Sequence, residues 1–355
     1  MLKPGSMIGI LGGGQLGRML ALAAARLGLK CHIYAPENDS PAFQVSAAHT
    51  VAGYDDLDAL EVFARSVDVV TYEFENVPVE AVIFLEALAP ARPGSKALAT
   101  AQDRLKEKHL ARSLGALTAE FSAVNSLDEL RSAVGRIGFP AMLKTNRLGY
   151  DGKGQAKISS ADDVTGAWAA VHGQPSILES FVNFRSEVSV IGARGLDGQF
   201  VAYDVTENVH RNHILHTSTV PAKIDGDLAA KSIAIAHVMA VALDYVGVMG
   251  TEFFLGEGGV YVNEIAPRVH NSGHWTQDAC VVSQFEQHIR AISGWPLGGT
   301  ERHSDVVMTN ILGQEAADWA RLAGQANSGL HFYGKAEARE NRKMGHINVL
   351  TPRQA

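Results

Sequence analysis

A glycine-rich stretch at residues 144–155, KTNRLGYDGKGQ, carries residue types that suit a bound anion. Glycines at this density cost conformational entropy on folding, so they indicate a chain that must lie close to another group. Lys144, at the end of the apolar run FPAMLK, and Lys153, between the glycines, indicate that this group is negatively charged. A surface hairpin tip with two solvated lysines explains the same residues equally well, so the rest of the chain must decide.

Two glutamates further along the chain are candidates for a metal site. Residues 248–255 and 260–265 have the pattern of strands, and GEGG at 256–259 joins them. A tight turn centred on Gly258 places Glu252 opposite Glu264, where two like charges are destabilising. A hard cation such as Mg²⁺, which takes a few carboxylates together with phosphate oxygens and water, offsets that repulsion. The alternatives are a register that differs by one residue or a glutamate that faces solvent.

The segment that follows Glu264 is rich in hydrogen-bond donors. Residues 263–276, NEIAPRVHNSGHWT, bring Arg268, His270, Asn271 and His274 together without apolar periodicity. Such a loop is suited to hold an oxyanion. A zinc site is disfavoured because no cysteine or further spaced histidine accompanies these two histidines.

The end of the chain carries a basic run, ARENRKMGH at residues 338–346, with Lys335 just before it. A run of charges is usually a solvated face. Arg342 and Lys343 beside a glycine are equally compatible with a phosphate pocket, and the sequence alone leaves both interpretations open.

A glycine fingerprint, Gly12-x-Gly14-x-x-Gly17, follows the first apolar run, and Glu37 and Asp39 come about 20 residues later. This spacing is typical of a dinucleotide site. The turn between a strand and a helix is, however, a general anion site, because free N–H groups and the helix dipole point outward there. A different phosphate site or a merely tight turn therefore stays possible.

Taken together, these features suit phosphoryl transfer from ATP. A glycine-rich loop with lysines covers a triphosphate, two acids hold Mg²⁺, and a cationic loop holds an acceptor. Catalysis of this kind consists mostly of positioning and charge neutralisation. The chain has neither a G-x-x-x-x-G-K-[ST] motif nor a kinase-type catalytic loop.

The elements that must position these residues follow from hydrophobic spacing. Apolar runs at residues 7–11, 31–34 and 68–72 alternate with helical spacing at 16–27 and 57–64, which predicts a parallel sheet covered by helices. Residues 90–95 have the composition of a linker, and 96–114 are predicted to be helical. The flanks of the glycine-rich stretch, at 139–144 and 156–159, are predicted to form antiparallel strands.

The composition describes a folded protein, with 46% apolar and 19% charged residues. A net charge of −7 disfavours non-specific nucleic-acid binding, so local basic groups must meet any anionic ligand. The two cysteines, Cys31 and Cys280, lie in apolar surroundings, which is typical of a reducing compartment. Glycines at 12–14 interrupt any secretory signal and no apolar run reaches membrane-spanning length, so we expect a cytoplasmic protein without membrane partners.

Long segments across almost the whole chain resemble a known family, the ATP-grasp carboxylate–amine ligases. Within it, the chain is most similar to the enzymes that carboxylate 5-aminoimidazole ribonucleotide in purine biosynthesis. The segments are IGILGGGQLGRM at 8–19, TYEFENVP at 71–78, QDRLKEK at 102–108, GYDGKGQ at 149–155, GVYVNEIAPRVHNSGHWT at 259–276 and RKMGH at 342–346.

The resemblance implies a fold of mixed α/β and α+β class. It predicts a Rossmann-like N-terminal domain at residues 1–95, a central two-lobed ATP-grasp domain at 96–295 with its lobe boundary near 175, and a small C-terminal β-rich domain at 296–355. The implied substrates are ATP, bicarbonate and 5-aminoimidazole ribonucleotide, with Mg²⁺ as the metal, and the implied assembly is a homodimer.

The resemblance also implies roles for individual residues, and His210 becomes a candidate on this ground alone. The catalytic residues would be Lys144, Asp151 and Arg268. The ATP site would comprise Arg104, Lys144, Gly149, Tyr150, Asp151, Gly152, Lys153, Gly154, Gln155, Glu179, Ser180, Phe181, Val182, Glu187, His210, Asn263 and Glu264. The metal ligands would be Glu252 and Glu264. The ribonucleotide and bicarbonate would meet Gln15, Glu73, Tyr150, Asp151, Arg268, His270, Asn271, Lys335, Arg342 and Lys343.

Other functions remain as alternatives at this point. One is another ATP-grasp ligase, such as a formate-dependent glycinamide ribonucleotide transformylase or a biotin carboxylase-like enzyme. The NSGHWT and RKMGH segments favour the aminoimidazole substrate. A dinucleotide-dependent oxidoreductase built on Gly12–Gly17 offers no reason for the glutamate pair. A regulator would bind ATP without turnover.

Overall fold

The computed structural model describes residues 1–147 and 154–353. Its N-terminal part consists of short buried strands that alternate with helices, as the spacing of apolar residues predicts. The elements are β1 (Met7–Leu11), α1 (Gln15–Arg26), β2 (Lys30–Ala35), β3 (Ala48–Val51), α2 (Leu57–Arg65), β4 (Val69–Tyr72) and α3 (Val79–Glu86). The strands form a parallel sheet in the order β3-β2-β1-β4, which confirms the Rossmann-like prediction.

A small α+β lobe follows. Its elements are α4 (Ser95–Ala101), α5 (Arg104–Ser113), β5 (Phe121–Val124), α6 (Leu127–Ile137), β6 (Ala141–Thr145), β7 (Gln155–Ile158), α7 (Asp163–Ala170) and β8 (Ser176–Ser180). The strands form an antiparallel sheet in the order β5-β8-β6-β7. Lys144 on β6 pairs with Gln155 on β7, so the two ends of the glycine-rich stretch are neighbours, as predicted.

The remaining strands form one large sheet. Its elements and the helices around it are β9 (Phe184–Arg194), β10 (Phe200–Ala202), β11 (Thr206–Arg211), β12 (Ile214–Val220), α8 (Gly226–Ala242), β13 (Gly247–Gly256), β14 (Gly259–Ala266), α9 (Thr276–Ala279), α10 (Gln284–Ser293), β15 (Ser304–Leu312), α11 (Trp319–Ala323), β16 (Ser328–Phe332) and β17 (Lys343–Pro352). The order is β14-β13-β9-β11-β12-β15-β17-β16, with β10 paired to β9. The C-terminal strands therefore continue the sheet that carries the glutamate pair.

The helical stretch predicted at residues 96–114 is divided into α4 and α5 at Gln102. The side chain of Asp103 caps α5 by accepting the N–H of Lys106. Asn146 binds the same helix end: its carbonyl accepts the N–H of Arg104 at 3.1 Å, and its Oδ1 accepts the N–H of Leu105 at 3.0 Å. The break therefore fixes Arg104 at the start of a helix, directly beside the strand that carries Lys144.

The hairpin of β13 and β14 places Glu252 opposite Glu264, as predicted, but for a different reason. Near the turn, Gly256 pairs with Gly259 and Phe253 pairs with Val262. The turn is thus one residue tighter than a centre on Gly258 implies. A β-bulge then shifts the register between Glu252 and Phe253, so the extra residue in β14 restores the predicted opposition.

Among the described residues, no helix combines the length and hydropathy needed to cross a membrane. Cys31 and Cys280 are both buried with free thiols.

Candidate active site

The glutamate pair lies at the centre of the candidate site. Glu252 is largely buried, with 15% of its side chain exposed, whereas 42% of the Glu264 side chain is exposed. Burial and the neighbouring Glu264 raise the pKa of Glu252 to about 7. Burial also raises the pKa of Glu264, but Arg104 and Lys144 outweigh it and hold that pKa below its usual value. Two carboxylates facing each other in this way form a donor set for a hard cation.

Side chains of basic residues surround the pair on the side of α5 and the small lobe. Nη1 of Arg104 lies 3.1 Å from Oε2 of Glu264, and Nζ of Lys144 lies 2.6 Å from Oε2 of Glu179. Glu179 is buried, and the charges of Lys144 and Lys108 hold its pKa well below the usual range despite the effect of burial. The structure thus brings Arg104, Lys144 and Glu179 together, as the resemblance implies.

Lys108 and Glu107 were not predicted as site residues. Nζ of Lys108 lies 3.2 Å from Oε1 of Glu179, and this lysine is only 2% exposed. Oε1 of Glu107 accepts the N–H of Ile265, next to Glu264. The sequence could have indicated Lys108 as a site residue, because it lies four residues after Arg104 and residues four apart share one face of a helix.

His210, which is a candidate only through the family resemblance, forms an ion pair. Its Nδ1 lies 2.7 Å from Oε2 of Glu187 on the neighbouring strand β9. Burial lowers the pKa of His210, but the hydrogen bond and charge of Glu187 outweigh it and raise that pKa. Glu252 lies on β13 of the same sheet, and its charge also raises the pKa of His210. His213 lies at the periphery, with Nδ1 3.4 Å from Nε2 of Gln155.

Several predicted nucleotide-site residues lie along the ends of strands around this centre. Ser180 ends β8, and its Oγ accepts the N–H of Glu120 at 3.0 Å. Phe181 is exposed, with Nζ of Lys157 5.2 Å from its ring centre. Val182 lies between β8 and β9, Asn263 precedes Glu264 on β14, and Gly154 adopts a φ of 68° just before Gln155.

The donor-rich loop lies beside Glu252. Nε2 of His270 is 3.4 Å from Oε1 of Glu252, and burial together with the charge of Arg268 lowers the pKa of His270 well below its usual value. The amides of Asn271 and Asn310 exchange two hydrogen bonds, of 3.0 and 2.9 Å. The imidazole thus lies next to Glu252, and the amide of Asn271 is fixed by Asn310.

Gln284, which was not predicted as a site residue, forms hydrogen bonds with the backbone of this loop. Its Oε1 accepts the N–H of His270 at 3.0 Å, and its Nε2 donates to the carbonyl of His270 at 2.7 Å. His274 points inward, with its ring 4.8 Å from that of His346. It is a packing residue rather than a donor to an oxyanion.

Arg268 links the loop to the N-terminal sheet. Its Nη2 lies 2.6 Å from Oε2 of Glu75, which belongs to the segment TYEFENVP. Only 17% of the Arg268 side chain is exposed. The guanidinium is therefore held in place from the N-terminal part of the chain.

The glycine fingerprint encloses a carboxylate of the chain itself. Oε1 of Glu73 accepts the N–H of Gly14 at 2.8 Å, and a Cβ on Gly12 would lie 2.7 Å from the same oxygen. The anion position at this helix N-terminus is thus occupied by Glu73, which argues against a dinucleotide phosphate there. Gln15 begins α1 directly after this contact.

A cavity of about 220 Å³ lies between the N-terminal part and the basic run. Nζ of Lys335 donates to the carbonyl of Lys343 at 2.7 Å. Burial and the charge of Arg342 lower the pKa of Lys335 to about 8, and Glu73 opposes this effect. The residues that line the cavity are Asp39, Pro41, Gly334, Lys335, Ala336, Glu337, Arg339 and Arg342.

Five predicted site residues, Gly149, Tyr150, Asp151, Gly152 and Lys153, lie outside the described residues. The structure therefore describes the glycine-rich stretch at residues 144–147 and 154–155.

Comparison with family models matches three consecutive parts of the chain. Residues 6–102 match a ribonucleotide synthetase preATP-grasp domain, residues 109–285 match an ATP-grasp domain, and residues 306–355 match a phosphoribosylaminoimidazole carboxylase C-terminal domain. The N5-carboxyaminoimidazole ribonucleotide synthase of Brucella melitensis is 50% identical over 355 residues, which cover 99% of this chain and 98% of the relative. The chain belongs to this synthase family.

Solved structures of the family have the same fold. An N5-carboxyaminoimidazole ribonucleotide synthetase in complex with ADP is 45% identical, with a TM-score of 0.96 over 99% of this chain and 94% of the other. An Aspergillus clavatus synthase in complex with ADP and 5-aminoimidazole ribonucleotide is 32% identical, with a TM-score of 0.92 over 98% of this chain and 94% of the other. These matches confirm the family resemblance and the ATP-grasp fold.

Proposed function

We propose that the chain catalyses the ATP-dependent carboxylation of 5-aminoimidazole ribonucleotide by bicarbonate in purine biosynthesis. The products are 5-(carboxyamino)imidazole ribonucleotide, ADP and phosphate. The observation that carries the proposal is the Glu252–Glu264 pair, set between Arg104 and the His270 loop. The names of the relatives, and the ADP and ribonucleotide complexes among them, support the same reaction.

ATP is proposed to bind between the small lobe and the large sheet. Lys144 reaches the phosphates, and Glu179 keeps its ammonium in place through the 2.6 Å ion pair. The glycine-rich stretch would close over the phosphates and exclude water. The proposed ATP residues are Arg104, Lys144, residues 149–155, Glu179, Ser180, Phe181, Val182, Glu187, His210, Asn263 and Glu264.

Glu252 and Glu264 are proposed to hold Mg²⁺. Magnesium is bound by one or two carboxylates together with phosphate oxygens, so two facing carboxylates beside a nucleotide fit it. Burial and the charge of Glu264 raise the pKa of Glu252, and a bound cation would offset both effects. When bound, the metal supplies charge neutralisation at the transferred phosphoryl group.

Bicarbonate is proposed to bind beside Arg268, His270 and Asn271. A bicarbonate oxygen attacks the γ-phosphorus of ATP, the bond to the β-phosphate oxygen breaks, and carboxyphosphate and ADP form. Arg268, oriented by Glu75, offsets the negative charge that collects there. His270 is held neutral by burial, so its imidazole can donate a hydrogen bond without adding charge.

The ribonucleotide is proposed to lie between the N-terminal sheet and the basic run. Its phosphate would meet Lys335 and Arg342, which line the 220 Å³ cavity, and the neighbouring Lys343. Gln15 and Glu73 would contact the ribonucleotide from the side of the N-terminal sheet. Its exocyclic amine attacks the carboxyl carbon, either of carboxyphosphate or of CO₂ released from it. The carbon–oxygen bond to phosphate breaks, and the amine loses a proton. Asp151 is proposed to accept this proton or to orient the amine, and Tyr150 is proposed to contact the same substrate.

The first alternative is another ATP-grasp ligase with the same nucleotide site. The family match over the C-terminal residues 306–355 favours the aminoimidazole substrate, because this part carries the proposed phosphate residues. A dinucleotide-dependent oxidoreductase is disfavoured because Glu73 occupies the anion position of the glycine fingerprint.

The test is phosphate release with each substrate omitted in turn at saturating Mg²⁺. We expect rapid release only when ATP, bicarbonate and 5-aminoimidazole ribonucleotide are all present. Release with glycinamide ribonucleotide and formate instead would favour the transformylase. No ADP formation with the complete aminoimidazole mixture would refute the proposal. In the same preparation, light scattering tests the homodimer, which corresponds to twice the 37.9 kDa of the chain.

A further inference from the structure

Strand β14 contains one residue more than a regular pairing with β13 requires. From the turn to Val262, each pair follows the register in which Gly256 meets Gly259. Continued without interruption, this register would bring Glu252 opposite Asn263. The bulge instead brings Glu252 opposite Glu264. Since side chains alternate between the faces of a strand, an uninterrupted register would move Glu264 to the other face of the sheet.

Lys108 contacts the backbone at this bulge. Its Nζ donates to the carbonyl of Val262 at 3.1 Å and to the carbonyl of Asn263 at 2.6 Å. Consecutive carbonyls of a regular strand point to opposite sides, so a single donor reaches both only where the strand is irregular. The third partner of the ammonium is Oε1 of Glu179, at 3.2 Å. The two carbonyls accept hydrogen bonds from the ammonium, and Glu179 pairs with its charge.

Burial makes these contacts strong. Lys108 is only 2% exposed, and a lysine is almost never buried to this degree unless it is paired. Glu107, the preceding residue of α5, accepts the N–H of Ile265. Helix α5 therefore binds β14 on both sides of Glu264, along the edge of the large sheet.

We infer that Lys108 is a positioning residue for the divalent cation: it stabilises the bulge at Asn263 and so keeps Glu264 opposite Glu252. The inference rests on the proposed function, because that proposal assigns the cation to these two glutamates. Lys108 itself contacts backbone carbonyls and Glu179, so it acts on the metal through the strand.

The test measures Mn²⁺ binding in the presence of ADP, where no turnover occurs. Mn²⁺ titrations followed by electron paramagnetic resonance compare the parent, Lys108→Met and Lys106→Met. Lys106 is an exposed lysine of the same helix, and its replacement is the matched control. We expect Lys108→Met to raise the Kd for Mn²⁺ at least tenfold. ADP binding without metal should change less, and Lys106→Met should match the parent.

The outcomes separate this inference from the proposed function. A parent that binds no Mn²⁺ with ADP overturns both. A parent that binds Mn²⁺ and a folded Lys108→Met protein that binds it equally well overturn the positioning role alone, even if the variant melts at a lower temperature. If Lys108→Met does not fold, Lys108→Gln takes its place, because a neutral amide still donates two hydrogen bonds. Its Kd for Mn²⁺ is expected to lie between the Kd of the parent and ten times that value. A Kd equal to the parent's overturns the inference.

Discussion

At the scale of single residues, the charges of the candidate site are paired before any ligand binds. Arg104 contacts Glu264, Lys144 contacts Glu179, and Arg268 contacts Glu75. Charge-assisted hydrogen bonds of this kind fix the direction of long side chains. Substrate binding therefore requires less ordering than it would for free lysine and arginine side chains.

Lys335 gives a pH dependence that can be measured. Its pKa lies near 8 because of burial and the charge of Arg342. The ammonium that would bind the ribonucleotide phosphate is thus lost as the pH rises through 8. At pH 9 about one tenth of the side chain stays protonated, so we expect the KM for the ribonucleotide to rise about tenfold between pH 7 and pH 9. The measurement is KM for this substrate across that range, with KM for ATP as the internal reference.

The matched variant for this prediction is Lys335→Arg. A guanidinium stays protonated throughout the range, so the rise of KM with pH should disappear. If the parent KM is independent of pH, or if Lys335→Arg retains the rise, the phosphate lies elsewhere.

The residues show why the sequence alone predicts part of this site. The opposition of Glu252 and Glu264 was predicted from a tight turn centred on Gly258, and the metal site was predicted from the repulsion between the two carboxylates. Lys108 was not predicted as a site residue, because a lysine in a helix rich in charged residues is expected to be exposed to solvent. Its burial depends on a strand about 155 residues away. The role of Asp151 stays a prediction, since it lies outside the described residues.

At the scale of elements, the turn between β1 and α1 is shaped around Glu73. Gly12 has a φ of 103°, which is unfavourable for other residues, and its missing side chain leaves room for the Glu73 carboxylate. The glycines are therefore required by a carboxylate within the chain, although the same spacing serves phosphates in dinucleotide sites.

Replacing Gly12 with alanine tests this interpretation. The added Cβ would lie 2.7 Å from Oε1 of Glu73 in a strained backbone conformation, so we expect Gly12→Ala to lower the free energy of unfolding by about 2 kcal/mol or more. Gly135 lies within α6, and a Cβ there meets no atom within 4 Å. Gly135→Ala should raise the free energy of unfolding by about 0.5–1 kcal/mol. Urea unfolding of both variants measures the difference, and a Gly12→Ala protein as stable as the parent would contradict the interpretation.

The elements also mark the limit of prediction from local patterns. Strands β1, β2 and β4 and helices α1 and α2 follow from short-range spacing, and the structure confirms them, whereas β3 and α3 were not predicted. The bulge in β14 was not predicted, because it depends on a helix that packs against the strand edge. The joining of β12 to β15 was not predicted either, since these strands lie about 90 residues apart and nothing in either strand specifies its partner.

At the scale of the whole molecule, the candidate site lies where distant parts of the chain meet. His288 on α10 connects the parallel sheet to the large sheet: its Nε2 lies 2.8 Å from Oγ1 of Thr71, and its Nδ1 accepts the N–H of Val248 at 3.0 Å. Nη1 of Arg92 donates to the carbonyl of Ile292 on the same helix at 2.6 Å. The position of Arg268 relative to Glu75 depends on this junction.

The junction makes a prediction about acid stability. Burial lowers the pKa of His288 to about 3, because a charged imidazole loses its hydration inside the protein. The unfolded chain takes up a proton on this histidine below pH 6.5, whereas the folded chain does not. The stability due to the neutral imidazole is therefore complete above pH 6.5 and is lost as the pH falls towards 3. At pH 5.5 the loss amounts to about 1.4 kcal/mol.

His288→Asn isolates this contribution from the other titrating groups. The variant should be less stable than the parent at pH 7.5, since the Val248 N–H loses its partner, and the gap in unfolding free energy should shrink by about 1.4 kcal/mol at pH 5.5. Urea unfolding at pH 7.5, 6.5 and 5.5 measures the gap. His303→Asn, at an exposed position, should stay within about 0.5 kcal/mol of the parent at each pH. A gap that does not change with pH would mean that His288 is protonated as readily in the folded protein as in the unfolded chain, and then at pH 5.5 its Nδ1 could not accept the hydrogen bond that joins the two sheets.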